Sequence, residues 1–329
     1  MAIDFSTIWP YSEIKPVTVD GQAMVRIPRI YVKNCLLESG TYKGRLAYFI
    51  SKEPLEGYHV HPAFVMSGGV PASAVDIGVY EASKDATRNY KAASVKTTSF
   101  WQNINRADAI TACSKRNVEG GNDEQKGWHC FNIYDYALLA RLKLIELGKT
   151  SDEIADDGGK NSGTTTVYET YHGIENPFGN PTAPCWLPGL GNIGDTIRLY
   201  KNDGSEVMVD TGLKAAGNGW VTNFSIQTGD GFDLGDVFVA SAVTQTQMDG
   251  ICSDWQRLAR NGVNETGYIT AYRGSHTQDP ADAHGMFAIS QETYGSDSGY
   301  GSPSAVWGTF NNRNYGNGPL RFRLAHFVA

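Results

Sequence analysis

Five cysteines, seven histidines and a scatter of carboxylates are the groups in this sequence able to carry chemistry, and their spacing limits what that chemistry could be. His59-Val60-His61 puts two imidazoles on one face of an extended segment, which could hold a metal ion if a third ligand joined them. No Cys or Asp partner stands near them in sequence, so ordinary loop or strand-edge histidines are expected. His129-Cys130, beside Trp128, has the residue types of a Cys/His nucleophile, but a buried cysteine entering a helix fits the local pattern better. Glu175-Asn176 reads as a turn bonding its own backbone rather than an acid/base pair. Cys35, Cys113, Cys130, Cys185 and Cys252 form no CxxC pair. Free, mostly buried thiols are expected, not a disulfide framework or a zinc site. The residues assign no catalytic group, no metal and no cofactor.

One segment has the composition of a recognition surface. Residues Ser290 to Gly318 are dense in Tyr, Trp, Asn, Ser and Gly. Tyr and Trp give contact area at low entropy cost, and Asn and Ser adapt their hydrogen bonds to a partner. Tyr294, Tyr300, Trp307, Asn311, Asn312, Arg313, Asn314 and Tyr315 are therefore the expected ligand-binding residues. The competing reading is a loop that packs on its own subunit or on a neighbour.

Positioning such groups needs a scaffold, and its elements are partly legible. Apolar and basic residues alternate over Met24 to Val32, the period of a half-buried strand, with Pro28 implying an edge or a bulge. Further strands are expected over Gly44 to Ile50 and Ala74 to Tyr80. A helix is expected over Ile104 to Arg116, capped by Asn103, with Ile104, Ala107, Ile110, Thr111 and Ser114 near helical spacing. A second helix starts after Asn132, carries Asp135 at its positive end, and presents Leu138, Leu139, Leu142 and Ile145 as an apolar stripe closed by Gly148. Ser151 to Thr166 reads as an exposed loop. Beyond it short strands recur at Thr196 to Tyr200, Glu206 to Val209, Gly219 to Ile226, Val237 to Ala240, Tyr268 to Arg273 and Met286 to Ile289. Turns at Asn202-Asp203-Gly204, Gly217-Asn218-Gly219 and Gly229-Asp230-Gly231 punctuate them. Leu320 to Phe327 alternates as a closing strand would. The class is α+β, with the helices grouped early and irregular β structure late.

Composition narrows the function classes. With 329 residues, 41% hydrophobic and 19% charged, the chain can bury a large core and is not extensively disordered. A net charge of −7 argues against nucleic acid as main partner, because phosphate binding needs a basic surface. No apolar run approaches the roughly 20 residues needed to span a bilayer. The start, Met1-Ala2-Ile3-Asp4-Phe5, lacks the regions of a signal peptide, so synthesis in a cytoplasm without general secretion is expected. Residues 1–21 carry Trp9, Tyr11 and Ile14 with little periodicity, and read as an attachment or oligomerisation arm preceding a single domain over 22–329.

Several segments in order resemble phage-encoded proteins with a C-type-lectin-like fold, related in fold to formylglycine-generating enzymes and to the variable proteins of diversity-generating retroelements. They are Met24-Val25-Arg26-Ile27-Pro28-Arg29-Ile30-Tyr31, His61-Pro62-Ala63-Phe64, Val75 to Ser83, Gly173 to Asn180, Tyr272-Arg273-Gly274-Ser275, Gly285-Met286-Phe287 and Arg321-Phe322-Arg323-Leu324-Ala325. Each is weak alone; their order and spacing over residues 24–329 carry the resemblance. It departs from the family where Pro181 to Cys185 intervene before Trp186, and where Val306 to Pro319 lengthen the loop before the last strand.

The resemblance implies paired terminal strands, with Arg321–Phe327 beside Val25–Val32, two flanking helices, long binding loops on one face, and a β-rich insertion at about 194–246. It implies a bacteriophage virion structural protein, on a tail fibre, tail tip or capsid surface, made in the host cytoplasm. Such a protein contacts other virion proteins or a host surface glycan or protein, and a homo-oligomer, most simply a trimer, is expected. The alternatives are a cellular carbohydrate-binding lectin and, least favoured, a formylglycine-generating-type oxidase. The oxidase resembles copper-dependent thiol chemistry and needs two cysteines before the C-terminal strand, where this chain has Gly274 to Asp279 and no cysteine after Cys252. Calcium-dependent sugar binding is likewise not expected: Gln278-Asp279-Pro280 scrambles one calcium motif, and Trp307-Gly308-Thr309 is not the other.

Overall fold

A computed structural model describes residues 3–36, 38–40, 46–87, 90–147, 160–161, 166–167, 170–177, 185–193, 196–214, 284–288, 307–312 and 321–329. In chain order, β1 (Lys15–Val19) turns through Asp20-Gly21 into β2 (Gln22–Pro28). Next, β3 (Tyr31–Leu36) pairs with β4 (Leu46–Ser51), β5 (Ala74–Glu81) follows, and β6 (Ser83–Lys84) pairs with β7 (Ala92–Ala93). Helix α1 (Arg106–Ser114), strand β8 (Trp128–Cys130) and helix α2 (Ile133–Leu147) come next. The later strands are β9 (Cys185–Ile193), β10 (Thr196–Tyr200), β11 (Met208–Lys214), β12 (His284–Ala288), β13 (Trp307–Asn312) and β14 (Arg323–Val328). Among the described residues, two α-helices with several antiparallel sheets make an α+β protein.

The central sheet runs β1-β2-β5-β14-β8, all pairs antiparallel. The terminal strands thus share one sheet, but they do not touch as expected. Strand β5 lies between them, with Ala74 to Gly78 buried without alternation. A strand apolar on both faces belongs in the middle of a sheet, with a partner on each side. The expected strand over Met24 to Val32 is also two. It ends at Pro28, which has no N–H to donate, and Tyr31 starts a strand in another sheet.

The second sheet runs β11-β10-β9-β12-β13. Its described strands from 196–214 extend the sheet of β9. Of the other expected late strands, those at 219–226, 237–240 and 268–273 lie outside the described residues.

Helix α2 forms where the apolar stripe predicts. Asn132 Oδ1 accepts from the Tyr134 and Asp135 amides at 2.8 and 3.3 Å, and Asp135 Oδ2 accepts from the Asn132 amide at 2.9 Å. Leu138, Leu139 and Leu142 join Val25, Ile27, Val75 and Ile77 in the main core; the expected Gly148 stop lies outside the described residues. Helix α1 starts later than expected. Asn105, not Asn103, caps it, accepting from the Asp108 amide at 2.8 Å, while Asn103 sits at φ 59°. The buried face is Arg106, Ala109, Ala112 and Cys113, and Ala107, Thr111 and Ser114 face solvent. Small residues there carried too little apolar contrast to show the true face. Gly127, at φ 77°, leads into β8, where a Cβ would lie 2.8 Å from the Phe327 carbonyl oxygen, so only glycine permits that approach.

The N-terminal residues are no free arm. Tyr11 is 4% exposed within the main core and donates its hydroxyl to the Leu142 carbonyl at 2.8 Å, while Phe5, Trp9 and Ile14 pack against the same cluster. The expectation that Trp9, Tyr11 and Ile14 lack cover in their own chain is therefore corrected. The bond to Leu142 joins residues 131 positions apart, which sequence spacing could not reveal.

Candidate ligand cleft

The chain between β5 and α1 folds back on the β1–β2 turn and encloses a cleft of about 780 Å³. Its frame starts with the short β6–β7 pairing, in which Ser83 opposes Ala93 and Lys84 opposes Ala92. Arg116, beyond the end of α1, locks this hairpin to the turn. Its guanidinium donates to the Asp20 carboxylate, to Asp85 Oδ2 at 3.3 Å and to the Ala92 carbonyl at 2.9 Å, and lies 5.0 Å from the centroid of the Trp128 ring. Burial pushes the Asp85 carboxyl up. The Thr87 hydroxyl and amide, at 2.8 and 2.9 Å, together with Arg116, outweigh that and hold it below the usual carboxylate range.

The far wall is Thr97 to Gln102. The Trp101 amide donates to the Ala82 carbonyl at 2.8 Å, and its indole meets the buried Phe322 ring at 5.6 Å and 66°. Lys84 Nζ stands 5.2 Å from the Trp101 ring centroid, a cation–π distance. Behind Phe100, the Arg321 guanidinium lies 4.1 Å from the ring and pairs with Glu81 at 2.7 Å, and Glu81 also accepts from the Cys185 thiol at 3.1 Å. The wall is thus held through β14 and the core, while its outer residues, Lys84, Lys96, Ser99 and Gln102, stay exposed.

Two buried polar atoms of cleft-lining residues have no hydrogen-bond partner among the described residues: Ser83 Oγ and Arg116 Nε. Such groups are uncommon in folded proteins, because burying them unpaired costs about 1–3 kcal/mol each.

Tyr294, Tyr300, Arg313, Asn314 and Tyr315 are outside the described residues. Trp307, Asn311 and Asn312 belong to β13, so this part of the expected loop is a strand at the end of the second sheet, with Trp307 opposite Ala288 and Asn312 opposite His284. The cleft residues were missed, although Lys96-Thr97-Thr98-Ser99-Phe100-Trp101-Gln102-Asn103 shows the same mixture of hydroxyls, amides and aromatics that marks 290–318.

His61 is buried beyond the two-residue strand His59–Val60, its Nδ1 accepting from the Ala63 amide at 3.2 Å, while His59 is exposed. One imidazole is thus at the surface and the other in the interior. Among the described residues no group of three His, Cys, Asp or Glu side chains could hold a metal ion. Cys113, Cys130 and Cys185 are free. Burial pushes the Cys113 and Cys185 thiols up, and for Cys185 the Glu81 carboxylate adds to it, so neither forms the thiolate that nucleophilic chemistry needs. No helix among the described residues is long and apolar enough to cross a membrane.

Comparison with known protein families and with curated proteins finds no match for this chain.

Proposed function

We propose that this chain is a binding protein of the bacteriophage virion, on a tail fibre, tail tip or capsid surface, with a lectin-like domain that contacts host-surface or virion partners. The cleft carries the binding half of this reading. It is large enough for a small ligand, its two carboxylates, Asp20 and Asp85, are both engaged by Arg116, and its rim is hydroxyl, amide, lysine and indole. That inventory holds and orients a ligand. Bond cleavage would need a poised acid, base or nucleophile, and the raised Cys113 and Cys185 thiols are not suited to it.

The virion half rests on the ordered sequence resemblance. Three of the segments that carry it, around Val25, Val75 and Leu324, lie on neighbouring strands of the central sheet. A trimer would have to use a surface other than Tyr11, which the core already covers. Mass spectrometry of purified phage particles tests the reading: the chain is expected at stoichiometric abundance, and its absence from particles of a phage that expresses it overturns the virion assignment.

A further inference from the structure

We infer that the cleft between the β6–β7 hairpin and Thr97–Gln102 takes an acidic saccharide, a short polyhydroxylated chain bearing carboxylates, with Lys84 and Lys96 holding the acid. This rests on the binding reading above and names the ligand class of that same site.

The first observation is charge. The whole chain carries −7, yet three cations line this cleft against two carboxylates. Arg116 engages both aspartates, Asp20 and Asp85. Among the described residues Lys84 and Lys96 have no carboxylate partner, and both are exposed. Lys84 Nζ lies 5.2 Å from the Trp101 ring centroid, a cation–π contact that favours an ammonium at the cleft. Two such ammonium groups match a carboxylate. They are too few for a nucleic-acid backbone, which calls for a basic stripe.

The second observation is the orphaned Ser83 hydroxyl. Ser83 is among the residues that line the cleft, it is 4% exposed, and its buried Oγ has no hydrogen-bond partner among the described residues. A hydroxyl both gives and accepts a hydrogen bond, and a sugar hydroxyl does the same, so one can satisfy the other directly or through a bridging water. Thr97, Ser99 and Gln102 surround the opening with further groups of that dual kind. The third observation is size: about 780 Å³ falls within the range of small-ligand sites and leaves room for more than one sugar ring.

The test is titration calorimetry on the full chain, with tetragalacturonic acid and 3′-sialyllactose as acidic probes. Their carboxyl-free counterparts, the tetragalacturonate methyl ester and lactose, and a hexaglutamate peptide serve as controls. At least one acidic sugar is expected to bind at least ten-fold more tightly than its counterpart and than the peptide, unchanged by chelator. Lys84→Gln and Lys96→Gln, at exposed positions, should each weaken that binding several-fold with the melting temperature unchanged. Ser83→Ala should weaken acidic and neutral sugars alike. Equal affinity for the neutral counterparts, equal affinity for hexaglutamate, no binding of any sugar, or binding untouched by both lysine substitutions overturns the inference. Detection in phage particles without sugar binding leaves the virion reading standing, and sugar binding by a chain absent from particles overturns only that reading.

Discussion

Asp76 and His326 stand opposite each other on β5 and β14, carboxylate Oδ2 and imidazole Nδ1 3.1 Å apart. Arg26 opposes Asp76 from the other side on β2 and meets it with two bonds, of 2.7 and 2.9 Å, and Trp128 opposes His326 on β8 with ring centroids 4.7 Å apart. A single row of side chains therefore crosses four strands of the central sheet. Cross-strand pairs are where a sheet's register is specified, and this row ties the two ends of the chain to one register.

Replacing Asp76 with Asn should be costly. The carboxylate is fully buried, and an amide cannot keep both the two-bond Arg26 pair and the contact with His326 Nδ1. Arg26 is one-third exposed and can recover water, so the expected loss is about 2 kcal/mol, below the figure for a wholly buried pair. Chemical denaturation of D76N reads it directly. Burial raises the Asp76 carboxyl, but the bonds from Arg26 and His326 outweigh it and hold it below the usual range. A depressed acid stabilises the fold above its unfolded value near pH 4 and loses that contribution as pH falls through the folded value. The stability of D76N should accordingly depend less on pH below about 4 than that of the parent protein.

His129 works in the opposite direction. Burial disfavours its charge, yet Asp135 at 3.2 Å and the Gly127 carbonyl outweigh that and raise its pKa above the ordinary histidine value. A raised base contributes stability that is complete below its unfolded value of about 6.5 and is lost as pH rises through the folded value. Melting temperature should fall from pH 6 toward pH 8, and His129→Gln should flatten that slope. A slope identical in both proteins would reject the assignment.

The N-terminal segment should behave as core. Tyr11→Phe removes a buried hydrogen bond to the Leu142 carbonyl and should cost about 1 kcal/mol; Tyr11→Ala also opens a cavity and should cost about 3–5 kcal/mol. Deleting residues 1–14 should lower the melting temperature sharply. A truncated chain as stable as the full one would show that these contacts contribute nothing.

Chelation should leave folding alone. With no metal-competent cluster among the described residues, excess EDTA is expected to shift the melting temperature by less than a degree. A drop of several degrees, or a stoichiometric ion in the purified protein, would contradict this.

Local pattern alone determined α2, from its cap and leucine stripe, together with β5, β10 and the α+β class, because period and capping are written in neighbouring residues. Which strand lies beside which was decided by tertiary structure. Nothing near Arg321 indicates that β14 passes over β2 to pair with β5, since β5 is central only by virtue of partners some 50 and 250 positions away. The same holds for Tyr11, whose hydroxyl is bonded to a carbonyl 131 positions distant. The cleft follows suit. The hydroxyl, amide and aromatic mixture of Lys96 to Asn103 is written in the sequence, but Ser83, Lys84, Lys96 and Trp101 come to line one cleft only when Arg116 and Phe322 fold behind them, because a concave surface is a property of packed elements and not of any one segment.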